Sequence, residues 1–128
     1  MATPQKLKAW EHAKTLAVEC TRVARSFPPV EQRALADQLR RAATSAALNV
    51  AEGASRASYR ENRKFLDTAR SSLKETRAIL EISRDVGYVD SSTFARLEAR
   101  CDEALKTLYG LQRYVEARIA EGAARRRV

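Results

Sequence analysis

Between Pro4 and Phe27, apolar residues return at helical intervals. Ala9, Trp10, Ala13, Ala17, Cys20, Val23, Ala24 and Phe27 share one face at about 100° per residue. Thr3 supplies a cap and Pro4 a preset first turn, while Pro28 and Pro29 forbid continuation. A second helix is predicted from Val30 to Glu52, with Leu35, Leu39, Ala42, Ala46, Asn49, Val50 and Gly53 on its inner face. A third starts at Ser58, where Glu61 completes a capping-box spacing, and stops at Gly87. Its stripe is Phe65, Ala69, Ser72, Leu73, Thr76, Ile79, Leu80 and Val86. The fourth follows the caps Asp90, Ser91 and Ser92, with Phe94, Leu97, Cys101, Ala104, Leu105, Leu108, Leu111, Val115 and Ile119 inward.

Four amphipathic helices with short connections predict an all-α fold, an antiparallel up-down-up-down four-helix bundle. Residues 1–120 form its single domain, and residues 121–128 a frayed basic tail. One stretch departs from amphipathic patterning. From Ala42 to Ala51 the second helix carries no charge on any side. A helix apolar all round is buried all round, so its outer face needs cover from a second copy or a partner. Ala47, Leu48 and Ala51 are the candidate oligomer interface.

Composition adds limits. With 128 residues and 45% hydrophobic positions, the chain can bury one core without staples. The net charge of +8 favours polyanionic partners but says nothing about fold. Cys20 and Cys101 are isolated on apolar faces, the pattern of small buried hydrophobes. The opening MATPQKLKAWEH lacks a signal-peptide run, and no segment nears the ~18 apolar residues of a membrane span. The expectation is a cytoplasmic protein.

Catalytic and metal chemistries find no support in the pattern. His12 is the only histidine, no HExxH or ExxH spacing occurs, and the glycines are too scattered for a phosphate-cradling loop. No catalytic residue, metal, cofactor or small-molecule substrate is expected.

The most specific segment is Gln38-Leu39-Arg40-Arg41-Ala42-Ala43, continuing to Asn49-Val50-Ala51-Glu52-Gly53. Gln38 and Asn49 project on or beside the core face, where a polar group needs a partner. Either they hydrogen-bond across the bundle and fix register, or with Glu52 they line a ligand cleft. Together with Phe27-Pro28, Arg63-Lys64-Phe65-Leu66 and Ala69-Arg70-Ser71-Ser72-Leu73, this segment resembles a known family. The family is the four-helix-bundle proteins encoded in intervening sequences of bacterial large-subunit ribosomal RNA, with relatives among diversity-generating retroelement accessory proteins. The resemblance covers nearly the whole chain. It marks Gln38, Arg41, Asn49, Glu52 and Gly53 as structural motif positions. It also implies a closed homo-oligomer, with five-membered rings known in the family, and a nucleic-acid role. Ala47 stands where the family commonly has Pro, and Ser71 where it often has Gly, so both helices should run straighter here.

Arg63, Arg70, Arg77 and Arg84 recur every seven positions, with Lys74 beside them and Arg60 at the start. This slowly drifting line, on the side opposite Phe65, suits a phosphate backbone. An ordinary solvated face, tempered by Asp67, Glu75 and Glu81, accounts for the same spacing. The functional expectation is a non-catalytic homo-oligomer, a pentamer by resemblance, whose basic surface engages RNA or another nucleic acid. The alternative is a protein-interaction scaffold or adaptor for a nucleic-acid enzyme.

Overall fold

The computed structural model describes residues 3–127. Among them are four α-helices and no strand: α1 Pro4–Ala24, α2 Leu35–Ser55, α3 Tyr59–Asp85 and α4 Ser91–Arg126. Each helix packs along two others, in the cyclic order α1, α2, α3, α4 and back to α1. Paired positions run in opposite order along adjacent helices. Ser45 meets Ser72 while Gly53 lies against Leu66, and Arg63 meets Glu116 while Arg77 meets Asp102.

The core is a column of leucines, Leu16, Leu39, Leu66, Leu73, Leu80, Leu97, Leu108 and Leu111, set against the small residues of α2. Leu16 and Leu66 were not on the expected stripes, and Val86, which was, is exposed. Two buried hydroxyls on α3 turn back on their own helix. Thr76 donates to the Ser72 carbonyl and Ser83 to that of Ile79, both at 2.7 Å.

Helix ends differ from expectation where side chains intervene. Thr3 does cap α1, accepting from the Lys6 amide at 3.2 Å. The helix closes at Ala24, not Phe27, because the Arg25, Ser26 and Phe27 amides bond three residues back in a tightened turn. Gln32 Nε2 then donates to the carbonyls of Ala24 (2.9 Å), which already accepts from the Phe27 amide, and of Phe27 (3.0 Å), beyond the helix end. Arg40 holds Gln32 in turn, at 2.7 Å to its carbonyl. This connection, with a 3-10 turn at Pro29–Glu31, occupies the residues where the start of the second helix was expected.

The α3–α4 connection follows its sequence signals closely. Gly87 takes φ +90°, and the Tyr88 and Gly87 amides reach back to Ser83 (2.8 Å) and Arg84 (3.0 Å). Asp90 caps α4 by accepting from the Thr93 amide at 2.7 Å, which holds its carboxyl below the usual value. Tyr88 ties this connection to the other one at its end. Its ring lies 5.4 Å from that of Phe27, and its hydroxyl donates to Glu31 at 2.8 Å.

Two expectations fail at other ends. Ser58 precedes α3 but its side chain makes no cap bond, so the capping box with Glu61 does not form. Nor does the chain fray at Glu121: α4 stays helical through Arg126, while Val128 lies outside the described residues.

Candidate nucleic-acid interface

The seven-residue arginine line faces α4, and carboxylates meet it there. Arg63 forms a two-pronged bond to Glu116, at 2.6 and 2.9 Å. Arg77 reaches Asp102 at 3.0 Å, Glu98 at 3.1 Å and Glu81 at 4.0 Å. Arg70 lies 3.9 Å from Asp67, and Arg84 pairs with Asp85 at 3.1 Å while stacking 4.2 Å above Phe94. Only Arg60 and Lys74 of the six candidate cations have no ion pair among the described residues. Between α3 and α4 lies a cleft of about 300 Å³, lined by Arg63, Arg70 and Arg113 but also by Asp67 and Glu116. Its mixed charge makes a poor seat for a polyanion.

The Arg63 pair lowers the Glu116 carboxyl below its ordinary value, through the hydrogen bond first and the opposite charge second. A depressed folded value means the pair stabilises at neutral pH and loses its effect as pH falls through that value. Arg63→Ala should therefore raise the Glu116 titration midpoint, read by carboxyl NMR. The stability gap between wild type and variant should close in acid.

Of the family-motif residues on α2, Arg41 and Asn49 line one open groove with Arg40, Thr44, Ser45 and Leu48, while Gln38, Glu52 and Gly53 lie outside it. Gln38 is exposed and makes no side-chain hydrogen bond among the described residues, contrary to its expected place beside the core. One residue before Leu39, it lies about 100° round the helix from that buried leucine, and Ala36 and Leu39 take the inner face. Asn49 is half-buried and donates to the Ser45 carbonyl (2.8 Å) and hydroxyl (3.2 Å) of its own helix. The bond that crosses to α3 is made by Ser45, to Ser72 at 3.0 Å. Arg41 is exposed beside Asp37, and Glu52 pairs with Arg56.

Gly53 has a packing reason to be glycine. A Cβ there would sit 3.1 Å from both Leu66 Cδ2 and Phe65 Cβ, so α2 and α3 approach at van der Waals limit. Of the candidate interface residues, Ala47 is 5% exposed and belongs to the bundle's own core. Leu48 is 59% exposed, with Ala51 half-exposed one turn on.

Three features escaped the sequence reading. Asn62 is 1% exposed, and the amide orientation that satisfies it turns the nitrogen to the carbonyls of Ser58 (3.0 Å), Gly53 (2.5 Å) and Arg56 (3.2 Å), which share its two hydrogens. It locks the α2–α3 connection. A groove of about 420 Å³ runs between α1 and α2, lined by Lys14, Val18, Thr21, Arg22, Arg25 and Thr44. No carboxylate lines it, and Lys14, Arg22 and Arg25 have no ion pair among the described residues. A second basic groove lies where α4 passes Ser58.

The thiols are buried. Burial pushes that of Cys20 far up and that of Cys101 to about 12, values that keep both protonated at neutral pH. Among the described residues, no three His, Cys, Asp or Glu side chains gather as a metal site.

The fold and these surfaces define a small basic helical bundle. Residues 5–110 match the 23S rRNA-intervening sequence protein family, and the chain belongs to that family. The structure is similar to the crystal structure of a protein of unknown function from the S23 ribosomal protein family from Bacteroides thetaiotaomicron VPI-5482. The TM-score is 0.74, covering 81% of this chain and 97% of that one at 21% sequence identity, a likeness of fold. No curated protein matches the chain.

Proposed function

We propose that the protein is a non-catalytic, cytoplasmic helical bundle that self-assembles and binds RNA or another nucleic acid through its phosphates. The carboxylate-free groove between α1 and α2 carries this reading. Lys14, Arg22 and Arg25 keep their charge available there, whereas four of the six cations of the α3 line are held by carboxylates of α3 or α4. Elsewhere on α1 and α2, Glu19 is held by Arg96 and Arg100, Asp37 by Arg40 and Arg41, and Glu52 by Arg56. Glu11 stands one turn before Lys14 and limits the groove at that end.

Three further parts belong to the same reading. The bundle is antiparallel, up-down-up-down, supported by the reversed order of contacts between neighbouring helices. No helix among the described residues is long and apolar enough to cross a membrane, in keeping with a cytoplasmic place. The oligomer is closed, and the family resemblance favours a homopentamer joined through the outer face of α2. The groove then lies on the rim of that interface and is repeated in each subunit, which multiplies a modest patch.

The groove offers no carboxylate acceptors for base amino groups, so binding should be weakly sequence-specific and steeply salt-dependent. Filter binding of duplex DNA and hairpin RNA across a salt series tests it. Reversing Lys14, Arg22 and Arg25 to Glu should weaken binding by roughly 100-fold and lower the log–log salt slope by about 3. If wild type binds neither probe at low salt, the reading fails, and an adaptor that meets an acidic protein takes its place.

A further inference from the structure

The family match ends at residue 110, yet α4 continues to Arg126. These added turns pass the α2–α3 connection and form, with the start of α3, a groove of about 310 Å³. Arg60, Arg118, Arg125 and Arg126 line it, and among the described residues no carboxylate does. Glu121 stands on its margin, held by Arg118 at 2.7 Å. Arg126 is steadied by its bond to the Gly122 carbonyl at 3.3 Å, and neither Arg60 nor Arg125 has an ion pair among the described residues.

This groove differs from the one between α1 and α2 in having an aromatic wall. Tyr59 is 36% exposed in it, set edge-on to Tyr114 with ring centroids 6.3 Å apart. Behind it the Arg118 guanidinium lies 4.9 Å over the Tyr114 ring, so the wall is buttressed. Guanidinium groups suit phosphate oxygens in a planar fork, and an open tyrosine face suits a base that is free of its duplex partner.

We propose that this groove is a second nucleic-acid site, selective for single strands: its arginines take the phosphates and Tyr59 stacks a base. A duplex keeps its base faces stacked inside, so it gains nothing from Tyr59. The proposal deepens the nucleic-acid reading above but rests on different residues, so the two can fail separately.

Fluorescence anisotropy with short labelled oligouridylate and oligothymidylate, the same strands made abasic, and a duplex DNA tests it on the full chain. Tyr59→Ala should lower single-strand affinity roughly tenfold and leave duplex and abasic binding unchanged, while Tyr59→Phe retains wild-type affinity. Arg125→Glu with Arg126→Glu should remove single-strand binding. The Lys14, Arg22 and Arg25 reversal should spare it while removing duplex binding. Binding of both oligonucleotides, or of either alone, supports the site, since phosphate and base face are common to them. Absence of single-strand binding by wild type overturns the proposal, as does equal affinity for intact and abasic strands. So does a Tyr59→Ala protein that binds as wild type does. If duplex binding alone fails, the α1–α2 reading falls and this one stands.

Discussion

Replacing Asn62 by Ala is expected to destabilise the bundle by about 2–3 kcal/mol, although the residue touches no proposed ligand. Its amide nitrogen faces three backbone carbonyls, those of Gly53, Arg56 and Ser58. These belong to the last turn of α2, the connection and the residue before α3; those of Gly53 and Ser58 also accept the Arg56 (3.3 Å) and Asn62 (3.0 Å) backbone amides, so the side chain adds a second bond at each. At 1% exposure no bulk water replaces the lost donor, and the truncated side chain leaves a small void as well. For a domain of this size, that cost lowers the melting temperature by roughly 6–12 °C. Urea denaturation reads it as a lower midpoint with an unchanged slope. Lys64→Ala, an exposed neighbour, should stay within about 0.5 kcal/mol of wild type. An Asn62→Ala protein as stable as that control would show that the connection holds without its lock.

That residue also marks what a periodic pattern can and cannot reveal. The helices were legible because apolar spacing, Thr3, Pro28, Gly87 and Asp90 are local signals, and each acts through its own few neighbours. Asn62 gives no such signal. Its role depends on three carbonyls that approach only once α2 and α3 have docked. Gln38 and Asn49 drew attention as polar residues near an apolar stripe, yet one turns to solvent and the other bonds its own helix. The hydroxyl of Ser45, an inconspicuous residue, makes the crossing bond instead. The expected start of α2 failed for a related reason: Gln32 is recruited to the end of α1 by tertiary contact.

The charged surface was legible as composition but not as pairing. A seven-residue arginine spacing is the geometry of a phosphate line and equally of interhelical ion pairs along a bundle seam. What decides between them is the sign of the facing helix. Glu116 meets Arg63, and Glu98 with Asp102 meets Arg77, in reversed order along α4. No spacing within α3 contains that information. The α1 groove was readable in principle, since Lys14, Val18, Thr21, Arg22 and Arg25 share one helical face, but its lack of opposing carboxylates depends on what α2 places across from it. The C-terminal groove required α4 to remain helical past Glu121, where Gly122 and the arginine run favoured fraying.

Leu48→Glu is expected to dissociate the proposed oligomer completely while leaving each subunit folded. The two halves of that statement have separate causes. In the single chain Leu48 is 59% exposed, and Glu is nearly as good a helix former as Leu, so subunit stability should move by less than about 0.5 kcal/mol. In a closed ring the same position is repeated in every subunit and loses its water on assembly. Each interface then forfeits the apolar burial of a leucine, about 1.5–3 kcal/mol, and must desolvate a carboxylate. Thr44, Ser45, Asn49 and Ala51 around it carry no charge, and the two arginines that line the same groove, Arg40 and Arg41, both lie against Asp37, with Arg40 also bonded to Gln32. Symmetry multiplies the penalty around the ring, so dissociation is the outcome at micromolar concentration. Ala47→Glu separates this from a folding defect: at 5% exposure its carboxylate enters the bundle's own core, and that variant should lose helicity as well. Light scattering with circular dichroism reads both. A wild-type protein that scatters as a monomer, or a Leu48→Glu protein that keeps the wild-type mass, would remove the outer face of α2 as an interface. The exposed leucine would then be a single surface residue of the kind that monomers carry freely.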